Sequence, residues 1–242
     1  MNTSSQYDQS QSKFLSDPLI LVSYEDEEKG SISKLDAHLK ANNNQLPHRA
    51  FSVFLFNKEN KLLIQKRSAK KLTFPLLWSN TCCSHPLDYP DQNRESTTVN
   101  ACISRIKYEL GLKTTAFMFK LFDKILYRAP SDNEKFEEFE VDYLYIAHVG
   151  EGKSSDFKGG FELEKWLNKE KMMEIINEDE VCDVEFMSIA EVLDAIKNRP
   201  EEFSPWFKIV MKMKGSDMSE YLAGNEEKLK YEKGVKNCLS GF

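Results

Sequence analysis

The stretch from Glu95 to Leu110 constrains this chain more than any other. Its apolar positions Val99, Cys102, Ile103, Ile106 and Leu110 recur at helical spacing, and Gly111 stands where a C-terminal cap belongs. Segments of strand character surround this helix. Leu19-Ile20-Leu21-Val22 is one, and Arg49 to Asn57 and Lys61 to Lys66 are two more, joined across Lys58-Glu59-Asn60 as a hairpin. Phe117 to Tyr127 and Phe139 to His148 carry the aromatic and β-branched content of a further pair, with Pro130 to Lys135 as the loop between them. Helical patterns return at Leu163 to Ile176, Ile189 to Lys197 and Pro205 to Met213, with Pro200 separating the last two. This order predicts an α+β (mixed α/β) single domain, and 242 residues are enough to bury a core. No internal repeat is present.

Residues 1 to 17 are rich in Ser, Gln and Asn and are expected to be a disordered tail. The domain is expected over 18–213, followed by a helical C-terminal extension over 214–242. A formal net charge of −6 gives no basic footprint for nucleic acid or for an anionic membrane surface. Any anionic substrate must therefore be met by a local cluster of cations. No apolar run is long enough to span a bilayer, and Met1 to Ser16 has neither an apolar signal core nor an Arg-rich amphipathic pattern, so the expected location is the cytoplasm. Cys82, Cys83, Cys102, Cys182 and Cys238 are odd in number and lack framework spacing, which fits free thiols in a reducing compartment. A monomer is expected.

Of the four histidines, His38, His48 and His85 lie in polar or motif-like contexts, whereas His148 ends an apolar strand. One such histidine is more often structural than a ligand, so partners are needed. Glu138-Phe139-Glu140 supplies them, because strand side chains alternate and Glu138, Glu140 and Asp142 then project to one face. A solvated strand face backed by core aromatics accounts for the same pattern. Three imidazoles with Glu138 and Glu140 nevertheless make an octahedral site suited to Zn²⁺, Mn²⁺ or Mg²⁺.

Asn80-Thr81-Cys82-Cys83-Ser84-His85-Pro86 sets a thiol two residues from one of those imidazoles. A buried structural pair, a redox vicinal pair and Cys-Cys-His zinc ligation all remain open at this point, although a second closely spaced ligand pair is missing for zinc. Lys66-Arg67-Ser68-Ala69-Lys70-Lys71 is either solvated surface or the cation cluster that a diphosphate requires. Arg105 and Glu109 share a helix face at i, i+4. They are either an ordinary ion pair worth about 0.3 to 0.5 kcal/mol or a phosphate arginine beside a magnesium carboxylate.

In combination these segments resemble the type I isopentenyl-diphosphate isomerases, a Nudix-like family. The resemblance is carried by His48-Arg49-Ala50-Phe51-Ser52-Val53-Phe54-Leu55-Phe56-Asn57, Phe74-Pro75, Asn80 to Pro86, Tyr108-Glu109-Leu110-Gly111, Glu138 to Asp142 and Ser204-Pro205-Trp206, over roughly Leu19 to Met213. It implies a Nudix-like domain with central mixed sheets flanked by helices. The implied substrates are isopentenyl and dimethylallyl diphosphate, interconverted in isoprenoid biosynthesis. By the same resemblance His38, His48, His85, Glu138 and Glu140 bind a divalent ion, and Glu109 helps to hold a Mg²⁺ associated with the substrate. Cys83 rather than Cys82 falls at the family's catalytic thiol, and Glu140 and Tyr127 complete the proton-transfer set. Arg67, Lys71 and Arg105 match diphosphate-binding positions, and Trp206 an aromatic that faces the developing cation.

Two departures stand out. Leu76 replaces a glycine common after the Phe-Pro pair, and 150–179 looks longer than bacterial relatives require; neither that segment nor 214–242 is expected to touch a matched functional position. The enzymatic rival is a Nudix pyrophosphohydrolase, but Ser104 to Gly111 keeps only Glu109 and the glycine of the fuller Arg-Glu-x-x-Glu-Glu-x-Gly pattern. A metal-stabilised binding protein without activity is the rival of another class, and the presence of both proton-transfer residues counts against it.

Overall fold

The computed structural model describes residues 8–42, 44–88, 94–131, 135–149, 163–229 and 234–239. In chain order its main elements are α1 (Gln9–Ser12), β1 (Pro18–Val22), β2 (Glu28–Ser33), α2 (Lys34–His38), β3 (His48–Phe56) and β4 (Leu62–Arg67). There follow β5 (Trp78–Ser79), β6 (Cys82–Ser84), α3 (Arg94–Leu110), β7 (Phe119–Pro130), β8 (Glu137–His148), α4 (Lys169–Ile175), β9 (Val181–Met187), α5 (Ile189–Asn198), α6 (Pro205–Leu222) and β10 (Lys236–Asn237).

β3 is apolar at six of its nine positions and buried nearly throughout, as a strand covered on both faces requires. It runs parallel to β8 and antiparallel to β1, β4 and β6, so it is the hub of a mixed sheet. Strand alternation then divides the core. Phe51, Val53 and Leu55 pack with Cys102, Ile106, Leu110 and Met172, on the side covered by α3 and α4. Phe54 and Phe56 pack with Val192, Phe207, Val210 and Met211, on the side covered by α5 and α6. The expected α+β architecture with a central mixed sheet between helices is the one observed. Among the described residues no helix is long and apolar enough to cross a membrane.

Several local expectations are corrected. Residues 8–17 are not a structureless tail: α1 is capped by Asp8, and Gln11 is buried against Glu180. Bonds from Gln11 to Glu180 and Asp179, a bond from Lys13 to Tyr108 and the edge-on contact of Phe14 with Tyr108 hold a segment that composition leaves blank; residues 1–7 lie outside the described residues. In the C-terminal extension the helix α6 runs on to Leu222, but Lys236–Asn237 form a strand parallel to β7, where Lys236 finds Asp123, which is 2% exposed. The helix expected over 163–176 is regular only from Lys169 to Ile175. Neither β2 nor β9 is among the expected strands, and both are set by pairing, β2 with β1 and β9 with β4. Much of the long 150–179 segment, residues 150–162, lies outside the described residues.

Candidate active site

Four separate elements deliver the five candidate metal ligands. Glu140 on β8 pairs in register with His48 on β3 and with Tyr127 on β7, so one carboxylate is flanked by both side chains. Glu138 follows on the same face, His85 comes from just beyond β6, and His38 closes α2. The ligand atoms of His38, His48, His85, Glu138 and Glu140 all lie within 4.8 Å of one another. The alternative of a solvated strand face is excluded, since Glu138 and Glu140 are each only 6% exposed.

The donor set fits a divalent cation. His38 Nδ1 lies 2.6 Å from the carbonyl of Lys34, which can only accept, so Nδ1 carries the proton and Nε2 turns a lone pair toward Glu138 Oε2 at 2.9 Å. Two acceptors at that distance require a shared proton or a cation. Both Glu138 Oε2 and His48 Nε2 are buried without a hydrogen-bond partner. His48 and His85 Nε2 stand 3.3 Å and 2.8 Å from Glu140 Oε1. Burial depresses the pKa of His48 despite the nearby Glu140 carboxylate, and burial with the neighbouring His48 and His38 depresses His85, so both imidazoles favour the neutral form that can ligate. At His38 burial works to lower the pKa, but the charge of Glu138 at 2.9 Å overcomes it and raises the pKa.

The vicinal cysteines separate because β6 alternates. Cys83 pairs with Ser52 and lines the cleft beside the metal cluster, whereas Cys82 pairs with Val53 and faces α3, its Sγ 3.5 Å from Glu109 Oε2. Neither a redox pair nor a Cys-Cys-His zinc site fits that divergence. The segment is held rigidly. Asn80 Nδ2 donates to the carbonyls of Val53 and Cys82, and Thr81 Oγ1 donates to Leu63 while accepting from Leu55 N–H. Burial pushes the Cys83 thiol up to about 12, with Arg67 working in the opposite direction, so the sulfur is protonated at neutral pH. Tyr127, 2% exposed, donates to Glu140 Oε2 at 2.5 Å. Burial itself would raise Glu140, but the adjacent His48, the bond from Tyr127 and the charge of His38 keep it below the usual carboxylate value. The N-terminus of α6 delivers Trp206, whose indole N–H donates to Ser79 Oγ and Asn80 Oδ1 at 3.0 Å and 3.1 Å.

Arg67, Lys71 and Arg105 converge on the same cleft. Arg67 caps a tight turn, donating to the carbonyls of Thr73 and Phe74, within which Phe74 and Leu76 have φ of +49° and +61°. Leu76 thus stands in a left-handed conformation that glycine would adopt freely, with its side chain half exposed. Arg105 and Glu109 form no surface pair. Glu109 is 1% exposed, accepts from Arg105, Gln65 and Cys82, and lies 3.9 Å from Lys71 Nζ. Burial works to raise Glu109, yet Arg105 and Lys71 hold it at about 2. It stands apart from the five-ligand cluster.

Three participants were not legible beforehand. Lys34 lines the cleft, and burial together with Lys71 and Arg105 lowers it to about 8. Its spacing of four residues from His38 on α2 was a usable signal once His38 was read as a ligand. Glu180 and Gln11 had no local signal. The segment before β9 also touches a matched position, contrary to expectation, since Asn177 N–H donates to the Glu109 carbonyl. Gly111 permits that approach, because a Cβ there would sit 2.7 Å from the Ile175 carbonyl oxygen.

A family profile for the NUDIX domain matches residues 46–207, two thirds of the chain, and sets the class. His38 and Lys34 lie outside the matched span. The structure is similar to that of DR0079 from Deinococcus radiodurans, with a TM-score of 0.53 at 15% identity, covering 81% of this chain and 98% of that one, which bears on the fold alone. In sequence the chain is 32% identical to the isopentenyl-diphosphate delta-isomerase of Schizosaccharomyces pombe, covering 84% of each. It is also 32% identical to the isopentenyl-diphosphate delta-isomerase IDI1 of Gibberella zeae, covering 84% of this chain and 76% of that protein. With the isopentenyl-diphosphate Delta-isomerase I of Clarkia breweri it shares 36% identity over 81% of this chain and 65% of that one. The chain belongs to the isopentenyl-diphosphate delta-isomerase family of the Nudix superfamily.

Proposed function

We propose that this enzyme interconverts isopentenyl and dimethylallyl diphosphate, a step of isoprenoid biosynthesis, by protonating the terminal alkene carbon and removing a proton from the neighbouring methylene. The observation that carries the reading is a half-buried thiol and a buried carboxylate, Cys83 and Glu140, on one cleft whose walls also bear the cations a diphosphate needs. Acid and base must flank the substrate for this 1,3-allylic rearrangement. Cys83 and Glu140 supply that acid and base between them, one giving a proton to the terminal carbon and the other receiving one from the methylene, and proton exchange with solvent restores both groups for the next turnover. Tyr127 holds Glu140 Oε2 in position through its hydroxyl. Trp206, fixed by its two indole hydrogen bonds, presents a ring to the tertiary cation-like state, a contact worth up to about 2 kcal/mol when desolvated.

Lys34, Arg67, Lys71 and Arg105 bind the diphosphate and position the alkene. A divalent ion, Mg²⁺, Mn²⁺ or Zn²⁺, held by His38, His48, His85, Glu138 and Glu140 would supply positive charge that lowers the proton affinity of Glu140. Glu109 would help to hold a Mg²⁺ that accompanies the diphosphate by giving up one of its bonds from Arg105, Gln65 and Cys82 to the ion. The reading includes a monomer in the cytosol, the location being supported by five cysteines without a disulfide among them.

The test is incubation of metal-replete protein with isopentenyl diphosphate in deuterated water, followed by NMR. Deuterium-bearing dimethylallyl diphosphate, absent from a Cys83→Ala control, is the expected result. Release of phosphate or pyrophosphate without alkene isomerisation would instead assign the chain to the Nudix hydrolases.

A further inference from the structure

Glu180, the residue immediately before β9, sits among the cleft's cations although an anion-binding surface should repel it. Its side chain is 0% exposed. Oε2 accepts from Lys71 Nζ and, at 3.2 Å, from Arg105 Nη2, while Oε1 accepts from Gln11 Nε2 at 3.0 Å. The backbone is fixed as well, since the Glu180 carbonyl accepts from Ser68 N–H and its own N–H donates to Asn177. Glu180 therefore occupies donors of both Lys71 and Arg105 that a phosphate oxygen would use, and it is held beside the turn carrying Lys71 by the bond from Ser68 N–H to its carbonyl.

We propose that Glu180 is an internal counter-ion that competes with the substrate's diphosphate for Lys71 and Arg105, and so sets how tightly substrate and product are held. The proposal rests on the diphosphate reading of the cleft. Substrate and product carry the same diphosphate, so a clamp of unopposed cations would bind both equally and slow product release without helping the chemical step. Four cations, Lys34, Arg67, Lys71 and Arg105, line the cleft. Glu109 and Glu180 together cancel half of that charge, and of the two only Glu180 also bonds the N-terminal segment, through Gln11. Glu180 acts through the cations it neutralises, which makes it a positioning residue.

The experiment is titration of metal-replete full-length protein with inorganic diphosphate, with and without excess Mg²⁺, for the wild type, Glu180→Gln and Glu180→Asp. Removing one negative charge at contact distance from two phosphate-binding cations is expected to tighten diphosphate binding by about tenfold or more in Glu180→Gln. Glu180→Asp, which keeps the charge but withdraws it by one methylene, is expected to fall between. KM and the product-inhibition constant should drop together, with kcat not rising. A purely structural role predicts unchanged or weaker binding, and a role as a Mg²⁺ ligand predicts weaker binding when Mg²⁺ is in excess; either outcome overturns the proposal. If Glu180→Gln does not fold, the Asp variant decides alone, tighter binding supporting the proposal and equal or weaker binding refuting it. Absence of diphosphate binding by the wild type would instead strike at the proposed function.

Discussion

Replacing Tyr127 by Phe removes one oxygen from the site and almost nothing else. The ring is 2% exposed and packed against the α5 and α6 side of the core, so Phe fills its volume and leaves no cavity. What disappears is the hydrogen bond to Glu140 Oε2 at 2.5 Å. A hydrogen bond to a charged group in a buried setting is worth about 1.5–3 kcal/mol. If that bond is used in proton transfer, the loss appears in the barrier, and kcat should fall by about 10- to 150-fold at 1.4 kcal/mol per decade. If it only holds the fold, the same energy appears in urea unfolding and kcat is untouched. Initial rates at saturating isopentenyl diphosphate, with metal content measured on the same samples, separate the two. A kcat within about twofold of wild type at full metal content refutes a role for Tyr127 in proton transfer.

Three further outcomes follow from the geometry. Gly111→Ala places a Cβ at φ +69° and 2.7 Å from a backbone oxygen, and should lower unfolding stability by about 2–4 kcal/mol in urea titrations; a loss below about 1 kcal/mol means the Ile175 segment yields. Glu109→Gln should destabilise by about 3 kcal/mol at pH 7. Because the folded pKa, about 2, lies below the ordinary 4.5, the wild-type advantage is full above 4.5 and shrinks as pH falls toward 2, and a gap that stayed constant down to pH 3 would contradict the ion-pair account. Metal added to chelator-treated protein should raise its melting temperature, and the rise should diminish as pH drops through the elevated pKa of His38, since a proton there competes with the ion. A rise independent of pH between 8 and 5 argues that His38 is not a ligand.

The pairing of residues far apart in the chain explains why some of this site was legible and some was not. Helical periodicity exposed α3, and apolar, aromatic and β-branched content exposed β3, β7 and β8, because a buried element must carry such residues. The same alternation put Glu138 and Glu140 on one side of β8, and residue chemistry identified three imidazoles as their partners. Periodicity did not reveal β2 or β9, whose strand form is imposed by neighbours. Nor did it decide between Cys82 and Cys83 without recourse to the resemblance; the β3–β6 register does so physically, by sending one thiol to the cleft and the other to α3. Ligand types and their strand faces are local properties, and the sequence by itself determined them. Register and docking bring His48 against Glu140, fold Gln11 back onto Glu180 and set that carboxylate between Lys71 and Arg105, contacts spanning 92, 169 and 109 residues of chain in the first pair and in the bonds Gln11–Glu180 and Lys71–Glu180. Only the tertiary structure decided them, because the energy of each depends on groups that no local window contains.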